Sequence, residues 1–249
     1  MLERRLAEIV KIVDERKTVT VQELMEIFHA SESTIRRDLV LLDRNGQLNR
    51  VHGGAVALDS AYFTKDADMD YRMDLNKEEK LAIARYAAGL LKPGDFVYLD
   101  AGTTTELMID YVTEPNVEFV TNGMTHGRKL AKRGYIVYIL GGNIKGKTEA
   151  VVGEEAILGL AKYNFTKGFF GSNGVSAEHG YSTPDTGEAL VKKEAWKHCI
   201  ERYVLADQSK FHHISSVTFA KFEEGTVITG NLQEDRIREH QNIREVRRL

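Results

Sequence analysis

The sequence predicts an α/β protein in two unequal parts: a small N-terminal group of helices closed by a hairpin, and a larger C-terminal domain built on a mainly parallel sheet. Three observations predict it. Apolar side chains recur at helical spacing through the first fifty residues, short apolar strands alternate with helical stretches from about residue 96 onward, and 14 of the 21 glycines fall between Gly102 and Gly187, where that alternation needs turns. A length of 249 residues accommodates one large domain or two unequal ones, and 42% hydrophobic against 29% charged content supplies a sizeable core. Composition excludes a disordered chain, a collagen-like repeat and a disulfide scaffold, since Cys199 is the only cysteine. No apolar run approaches the roughly 18 residues of a membrane span. Residues Met1 to Val13 mix Glu3, Arg4, Arg5, Glu8 and Lys11 among apolar positions, unlike a signal peptide. The expectation is a soluble, cytoplasmic protein.

The N-terminal helices follow from their patterns. Leu2, Leu6, Ile9, Val10 and Val13 make one apolar face, and Thr18 to Thr20 interrupts it. Leu24, Met25, Ile27 and Phe28 make a second face beginning near Val21. After the His29-Ala30 turn, Ser31 or Ser33 offers an N-cap for a third helix carrying Ile35, Leu39, Leu41 and Leu42. Asn45-Gly46 ends it. Two short strands, Gln47 to Val51 and Ala55 to Leu58, flank a glycine turn at His52-Gly53-Gly54. Two helices joined by a short turn and followed by a glycine-tipped hairpin describe a winged helix-turn-helix. A helix that enters a major groove must present short polar and cationic side chains near its start. Ser31, Glu32, Ser33, Thr34, Arg36 and Arg37 fit that requirement, while Arg50, His52 and Gly53 put the wing near a phosphate backbone or minor groove. Bulk charge does not argue for DNA, because residues 1–58 hold nine Lys/Arg and nine Asp/Glu.

Beyond residue 58 the periodicity fades. Residues 59–75 read as a partly docked linker, and Asn76 with Glu79 forms a capping-box-like pair opening a helix that Lys92-Pro93-Gly94 stops. Strands are expected at Phe96-Leu99, Val117-Val120, Tyr135-Leu140, Lys167-Gly171, Tyr203-Ala206 and Thr226-Thr229. Helices are expected near Thr104-Tyr111, Thr125-Arg133, Glu154-Lys162 and Gly187-Cys199. Asp100-Ala101-Gly102-Thr103-Thr104-Thr105 follows a strand and opens a helix, so free amides and threonine hydroxyls face a potential anion. The absence of a Walker lysine argues against a nucleotide triphosphate. Thr121-Asn122-Gly123, Gly141-Gly142-Asn143 and Gly171-Ser172-Asn173-Gly174 follow later strands. In an open parallel sheet such strand ends line one crevice, which suits a small, hydroxyl-rich anion. Lys145, Lys147, Lys192 and Lys210 are its candidate cations. Glu188 and Asp185 are candidate acceptors for sugar hydroxyls, although Asp185 also suits a helix cap. No cofactor is called for. The eight histidines show no metal-ligand spacing, Cys199 reads as a small buried hydrophobe, and Trp196 reads as packing.

The run Ser33-Thr34-Ile35-Arg36-Arg37-Asp38-Leu39, with Gly46, Leu48, Arg50 and Val51-His52-Gly53-Gly54-Ala55, resembles the signature of the DeoR family of bacterial transcriptional regulators. From about Asn76 onward the chain also resembles the family's effector domain. The resemblance implies operator DNA as partner over residues 1–58 and an effector and oligomerisation domain over residues 76–249, related in fold to ribose-5-phosphate isomerase and the sugar-phosphate deaminases. It implies a phosphorylated sugar as ligand, with the Asp100-Thr105 loop, Thr121-Asn122-Gly123 and Lys210 among its contacts. Asn173-Gly174-Val175, the stretch His179 to Asp185 and the stretch Ala206 to Phe211 look closest to regulators of fructose operons, which implies fructose 1-phosphate as effector. Two other readings stand beside this one. A sugar-phosphate isomerase or deaminase would use Asp100, Asp185 or Glu188 for proton transfer. An architectural DNA-binding protein would use its second domain only to form a homo-oligomer.

Overall fold

The computed structural model describes residues 2–16, 18–45, 47–51, 53–57, 62–63, 73, 75–211, 213–230, 232, 238 and 240–246, and the chain divides into two units, Met1–Ala61 and Tyr62–Leu249. Of the 59–75 segment, Tyr62–Phe63 forms a strand within the second unit, and most of the rest lies outside the described residues.

In the first unit, α1 (Leu2–Arg16), α2 (Val21–Phe28) and α3 (Glu32–Arg44) surround a core of Ile9, Val13, Leu24, Ile35, Leu39, Leu42 and Leu48. A three-stranded antiparallel sheet closes it, with β3 (Gly54–Val56) between β1 (Thr18–Thr20) and β2 (Asn49–Val51). A true capping box starts α2: the Thr20 hydroxyl accepts from the Glu23 N–H, and the Glu23 carboxylate accepts from the Thr20 N–H at 2.7 Å. His29, in the left-handed region at φ 48°, ends α2 and makes the tight turn that aims α3. Ser31 caps α3 by accepting from the Thr34 N–H. The Arg5 guanidinium bonds the buried Asp38 carboxylate at 2.6 Å, tying α1 to α3. Gly54 is required where β3 crosses β1, because a Cβ there would lie 2.0 Å from the Val19 carbonyl oxygen.

The second unit is organised by a seven-stranded parallel sheet of order β17-β16-β13-β10-β5-β6-β7. Its strands are β5 (Phe96–Leu99), β6 (Glu118–Thr121), β7 (Ile136–Ile139), β10 (Phe165–Gly171), β13 (Cys199–Leu205), β16 (Thr226–Thr229) and β17 (Ile243–Glu245). Side chains alternate between two cores. Tyr98, Val120, Phe170, Val204 and Val227 enter one, and Val97, Leu99, Phe119, Phe169, Leu205 and Ile228 enter the other. Helices α4 (Lys77–Ala88) and α5 (Thr103–Tyr111) pack against each other and line the second core, while α7 (Glu154–Leu160) and α8 (Thr186–Lys197) line the first; α6 (Met124–Lys132) follows β6. A separate antiparallel sheet, β11 (Gly174–Ser176), β12 (Gly180–Thr183) and β15 (Val217–Ala220), sits over α8. Two small ladders complete the unit: β4 (Tyr62–Phe63) with β14 (Ile214–Ser215), and β8 (Asn143–Ile144) with β9 (Val151–Val152). No described helix is long and apolar enough to cross a membrane.

The structure corrects two local expectations. Asn76 is not a capping-box partner of Glu79: it sits in the left-handed region at φ 53° and makes no side-chain cap. Its side chain instead donates to Asp207 at 2.8 Å, and Glu79 is buried, accepting from the Gln208 and Gly230 amides at 2.8 and 3.2 Å. Cys199 opens β13 rather than ending α8. Its buried thiol donates to the Ala195 carbonyl, and burial pushes its pKa up to about 12, far from a nucleophile's.

Because Ser31 rather than Ser33 accepts the α3 amide, Ser31→Ala should destabilise the first unit by about 1 kcal/mol, while Ser33→Ala stays within a few tenths. Thermal melts of the two variants check this; equal midpoints would remove the cap assignment.

Candidate functional site

In the first unit, Ser31, Glu32, Ser33, Arg36 and Arg37 are exposed on the first turns of α3, and Thr34 is half-buried. Their hydroxyls already form a local cluster, Ser31 with Ser33 at 3.0 Å and with Thr34 at 2.9 Å. Arg36 pairs with Glu32 four residues earlier at 2.8 Å. An exposed helix pair of this kind is worth a few tenths of a kcal/mol, about 0.3–0.5, so a phosphate can replace the glutamate at little cost. Arg36, Arg37, Val40, Leu41 and Arg50 line one open groove of about 420 Å³ between the helix and the hairpin. Gly53 is exposed at the hairpin tip with φ 86°, and its carbonyl accepts from the Val21 amide, which fixes the tip to the start of α2. His52 lies outside the described residues.

In the second unit, one cavity opens at the carboxyl ends of β5, β10 and β13. The β5–α5 turn contributes Ala101, Gly102, Thr103 and Thr104, and the turn after β10 contributes Gly171, Ser172 and Asn173. Leu75 and Lys80 reach it from the start of α4, Glu188 and Lys192 from α8, Leu205, Asp207 and Lys210 from the end of β13, and Thr148 from the loop before β9. The β5–α5 turn is braced from behind. The Ala101 amide donates to Asn122 Oδ1 at 2.8 Å and the Gly102 amide to His126 Nε2 at 3.4 Å. Thr103 and Thr104, whose first-turn amides have no intrahelical acceptor, both line the cavity.

The charges are arranged in matched groups. Lys192, almost fully buried, bonds the Asp100 carboxylate and the Gly171 carbonyl, and Asp100 Oδ2 also accepts from the Gly171 amide. Burial pushes the Asp100 carboxyl up, and Lys192 with the Gly171 amide pulls it back. For the buried Asp207, burial likewise pushes upward, but Lys210, Lys80 and hydrogen bonds from Ser209 and Asn76 prevail and leave it below the usual carboxylate range. Glu188 Oε1 accepts from Thr148 at 2.8 Å and from Lys145 at 2.9 Å, which also pairs with Asp185. Among the described residues no grouping of His, Cys, Asp and Glu could hold a metal ion.

Of the side chains expected around the ligand, Gly102, Thr103, Thr104, Asn173, Glu188, Lys192 and Lys210 come together here. Asp100 stands behind Lys192. The others have different positions. The Thr105 hydroxyl points inward to the Asp100 and Gly102 carbonyls, and Thr121 Oγ1 accepts from the Gly123 amide within its own turn. Asn122 braces Ala101, Asp185 caps α8 by accepting from the Glu188 amide, and Lys145 neutralises Glu188 from outside. Gly174 is held tightly, since a Cβ would lie 2.3 Å from the His213 carbonyl oxygen. Gly141, Gly142 and Lys147 are exposed and off the lining. Lys80, Thr148 and Asp207 are polar lining residues that the sequence did not single out, while Ser172 lines the cavity as its strand-end turn leads one to expect. A basic residue four positions after Asn76, one turn into an amphipathic helix, carries no signal that separates it from a solvated lysine.

A helix with two arginines beside a glycine-tipped hairpin, joined in one chain to an α/β domain with a polar cavity, is the make-up of a ligand-sensing transcriptional regulator. Residues 5–61 match the DeoR-like helix-turn-helix domain and residues 75–231 the DeoR C terminal sensor domain; the chain belongs to the DeoR family. It is 43% identical over 227 residues to the uncharacterized HTH-type transcriptional regulator FruR of Bacillus subtilis, covering 91% of this chain and 90% of that one. It is 33% identical over 236 residues to the lactose phosphotransferase system repressor of Streptococcus mutans, covering 94% and 93%. Among solved structures, ribose 5-phosphate isomerase A from Methanocaldococcus jannaschii matches with a TM-score of 0.41 and 19% identity, over 55% of each chain, so the match spans about half the isomerase.

His126 provides a pH test of the brace. Burial lowers its pKa from 6.5 to about 3, so the folded protein keeps it neutral, as an acceptor for the Gly102 amide. The unfolded chain takes up this proton below about pH 6.5, so the stabilisation is complete above that pH and falls toward pH 3, by at most about 1.4 kcal/mol per unit. His126→Gln should flatten that acid limb relative to the unsubstituted protein. Parallel curves of melting temperature against pH would show that His126 is not buried neutral.

Proposed function

We propose that the protein is a repressor of an operon for sugar uptake and metabolism, best read as a fructose operon, and that a phosphorylated sugar, fructose 1-phosphate, controls it. In this reading residues 1–58 read operator DNA in the cytoplasm, 59–75 link the parts, and 76–249 hold the effector and the homo-oligomer contacts. The observation that carries it is the meeting of Thr103 and Thr104, at the start of α5, with Lys80, Lys192 and Lys210 around one cavity that also presents Glu188 and Asp207. A helix N-terminus with lysines suits a phosphate dianion, and buried carboxylates suit hydroxyls, so the pair selects a sugar phosphate over either fragment. The likeness to FruR of Bacillus subtilis favours fructose, and the lactose-system relatives keep tagatose phosphates as the second choice.

Control follows from linkage. The effector must bind one arrangement of the oligomer better than the other, and operator DNA then weakens or strengthens effector binding by the same factor. On the DNA side, Ser31, Ser33, Thr34, Arg36 and Arg37 face the major groove, and Arg50 with the Gly53 tip approaches the backbone, as the shared groove of Arg36, Arg37 and Arg50 supports.

Operator-bound protein titrated with fructose 1-phosphate, fructose 6-phosphate, fructose 1,6-bisphosphate and tagatose 6-phosphate tests the reading. The first should act at the lowest concentration, and no response to any of them would overturn the effector assignment. Thr104→Ala and Lys210→Ala should keep operator affinity and blunt the response, whereas an undiminished response in both would remove the cavity from the mechanism. Arg37→Ala should cost about 1–3 kcal/mol of operator binding if it reads a base edge. A uniform loss over all sequences with a flatter salt dependence would instead make Arg37 a phosphate contact.

A further inference from the structure

The seven-stranded sheet has two edges, and they are treated differently. At one edge, β17 is short and carries exposed Arg244 and Glu245, with Arg238 paired to Glu245 at 3.1 Å. Charged side chains of this kind block strand addition. At the other edge, β7 lies in the run Tyr135-Ile136-Val137-Tyr138-Ile139-Leu140, which has no charged residue, no proline and no glycine. Ile136, Tyr138 and Ile139 are 56%, 42% and 43% exposed, and Ile144 of the following ladder is 58% exposed. An uncharged, apolar, open edge is the feature that soluble monomers avoid.

The backbone direction says what such an edge accepts. The Leu140 amide donates inward to the Thr121 carbonyl, and β7 pairs with β6 from Ile136 to Ile139. Amides alternate sides along a strand, so those of Ile136 and Tyr138 also face β6, and the N–H and C=O groups of Val137 and Ile139 face outward. Among the described residues no strand pairs with them.

We infer that β7 is the homo-oligomer contact, pairing antiparallel with β7 of a second copy about a two-fold axis at Tyr138. The strand is its own complement in that register. Val137 exchanges both backbone hydrogen bonds with Ile139 of the other copy, Ile139 does the same with Val137, and the two Tyr138 side chains meet at the non-hydrogen-bonded position on the axis, where Cα atoms lie about 4.5 Å apart. One surface used twice closes the assembly, so the exposed edge is removed rather than passed on. No charge in residues 135–140 selects a different partner, and aromatic and β-branched pairs across a ladder are favourable. This rests on the proposed homo-oligomer and assigns its surface.

Sedimentation or light scattering on the full chain tests it. Ile139→Pro removes an outward amide, together with the Ile139 side chain that packs on Gly127, and should halve the molar mass while a thermal transition persists. Ile139→Ala is the control that loses the side chain and keeps both the amide and the mass. Tyr138→Glu should halve the mass as well by placing like charges on the axis, beside Glu118, which Tyr138 already contacts at 3.3 Å. Mixing Tyr138→Lys with Tyr138→Glu should restore the mass, and Tyr138→Cys should form an intermolecular disulfide under mild oxidation. Unchanged mass in both Ile139→Pro and Tyr138→Glu, or no restoration on mixing, would overturn the assignment of β7 and leave the oligomer standing. A monomeric unsubstituted protein would overturn both. Effector titration of the variants is a separate readout, so failure here does not touch the effector reading.

Discussion

The buried pair between Asp100 and Lys192 is the constraint on which the sensor domain's geometry depends. It joins the end of β5 to the middle of α8, and through the Gly171 amide and carbonyl it also fixes the end of β10. Both side chains are nearly inaccessible. Such a pair gives back little net stability, because desolvation of each ion offsets most of the attraction, yet removing one partner strands the other charge at a cost of roughly 3–5 kcal/mol. Its value is therefore positional: three backbone segments that diverge in sequence must meet at one place for either charge to be tolerated. Asp100 Oδ1 has no hydrogen-bond donor among the described residues, so the carboxylate is held from one side only.

Around this pair the cavity is nearly neutral by design of its parts. Asp207 is compensated by Lys80 and Lys210, and Glu188 by Lys145 and Thr148. A dianion entering such a site does not simply fill a positive hole; it competes with carboxylates for the same lysines. The competition gives ligand binding a means of altering structure, since any lysine drawn toward the ligand leaves Asp207 or Glu188 less compensated. The same residues tie distant segments together: Asn76 and Glu79 of the α4 entry bond Asp207, Gln208 and Gly230. Local charge rearrangement is thus coupled to backbone positions on three elements.

Much of this was legible in sequence, for identifiable reasons. The first unit obeys short-range rules: a serine cap at Ser31 and helical apolar spacing each act within a few residues, and the capping box at Thr20 and Glu23 is equally local although in sequence Thr20 reads only as a break between helices. The central parallel strands read as apolar runs because both of their faces are buried, whereas the edge strand β17, with exposed Arg244 and Glu245, carries no such run and is not expected from sequence. The antiparallel sheet of β11, β12 and β15 did not, since its strands are three or four residues long and its aromatic packing, with Tyr181 against Trp196 and Phe219, comes from long-range partners. Among the strand-end turns, sequence could not tell a hydroxyl facing a ligand from one closing its own turn. Thr104 faces the cavity while Thr105, one residue on, is turned inward by about 100° of helical rotation, and Thr121 accepts from its own Gly123 amide. Asn76 and Glu79 have the spacing of a helix cap and serve a longer-range purpose, which no local pattern encodes.

The positions of the cavity and of the open sheet edge bear on how one can influence the other. From β5, which carries the Asp100–Thr104 turn, β6 is the adjacent strand and β7 the next, a distance of roughly 10 Å at the usual spacing of strands. Beyond the ladder between the two strands, the Ala101 amide bonds Asn122 in the turn after β6 and the Gly102 amide bonds His126 of α6. That turn is itself clamped, because the Val151 amide donates to the Asn122 carbonyl at 2.6 Å and the Met124 amide to Glu149, whose φ of 51° is strained for a non-glycine residue. Gly127, on the helix that follows, is where Ile139 of β7 packs so closely that a Cβ would overlap it. Movement of the Ala101-Gly102 turn therefore presses first on Asn122 and then on the α6 face against which the edge strand rests. A sensor that altered the pairing of two copies would need no long relay, only a change at this short, tightly packed boundary between the β5–α5 turn and the sheet edge.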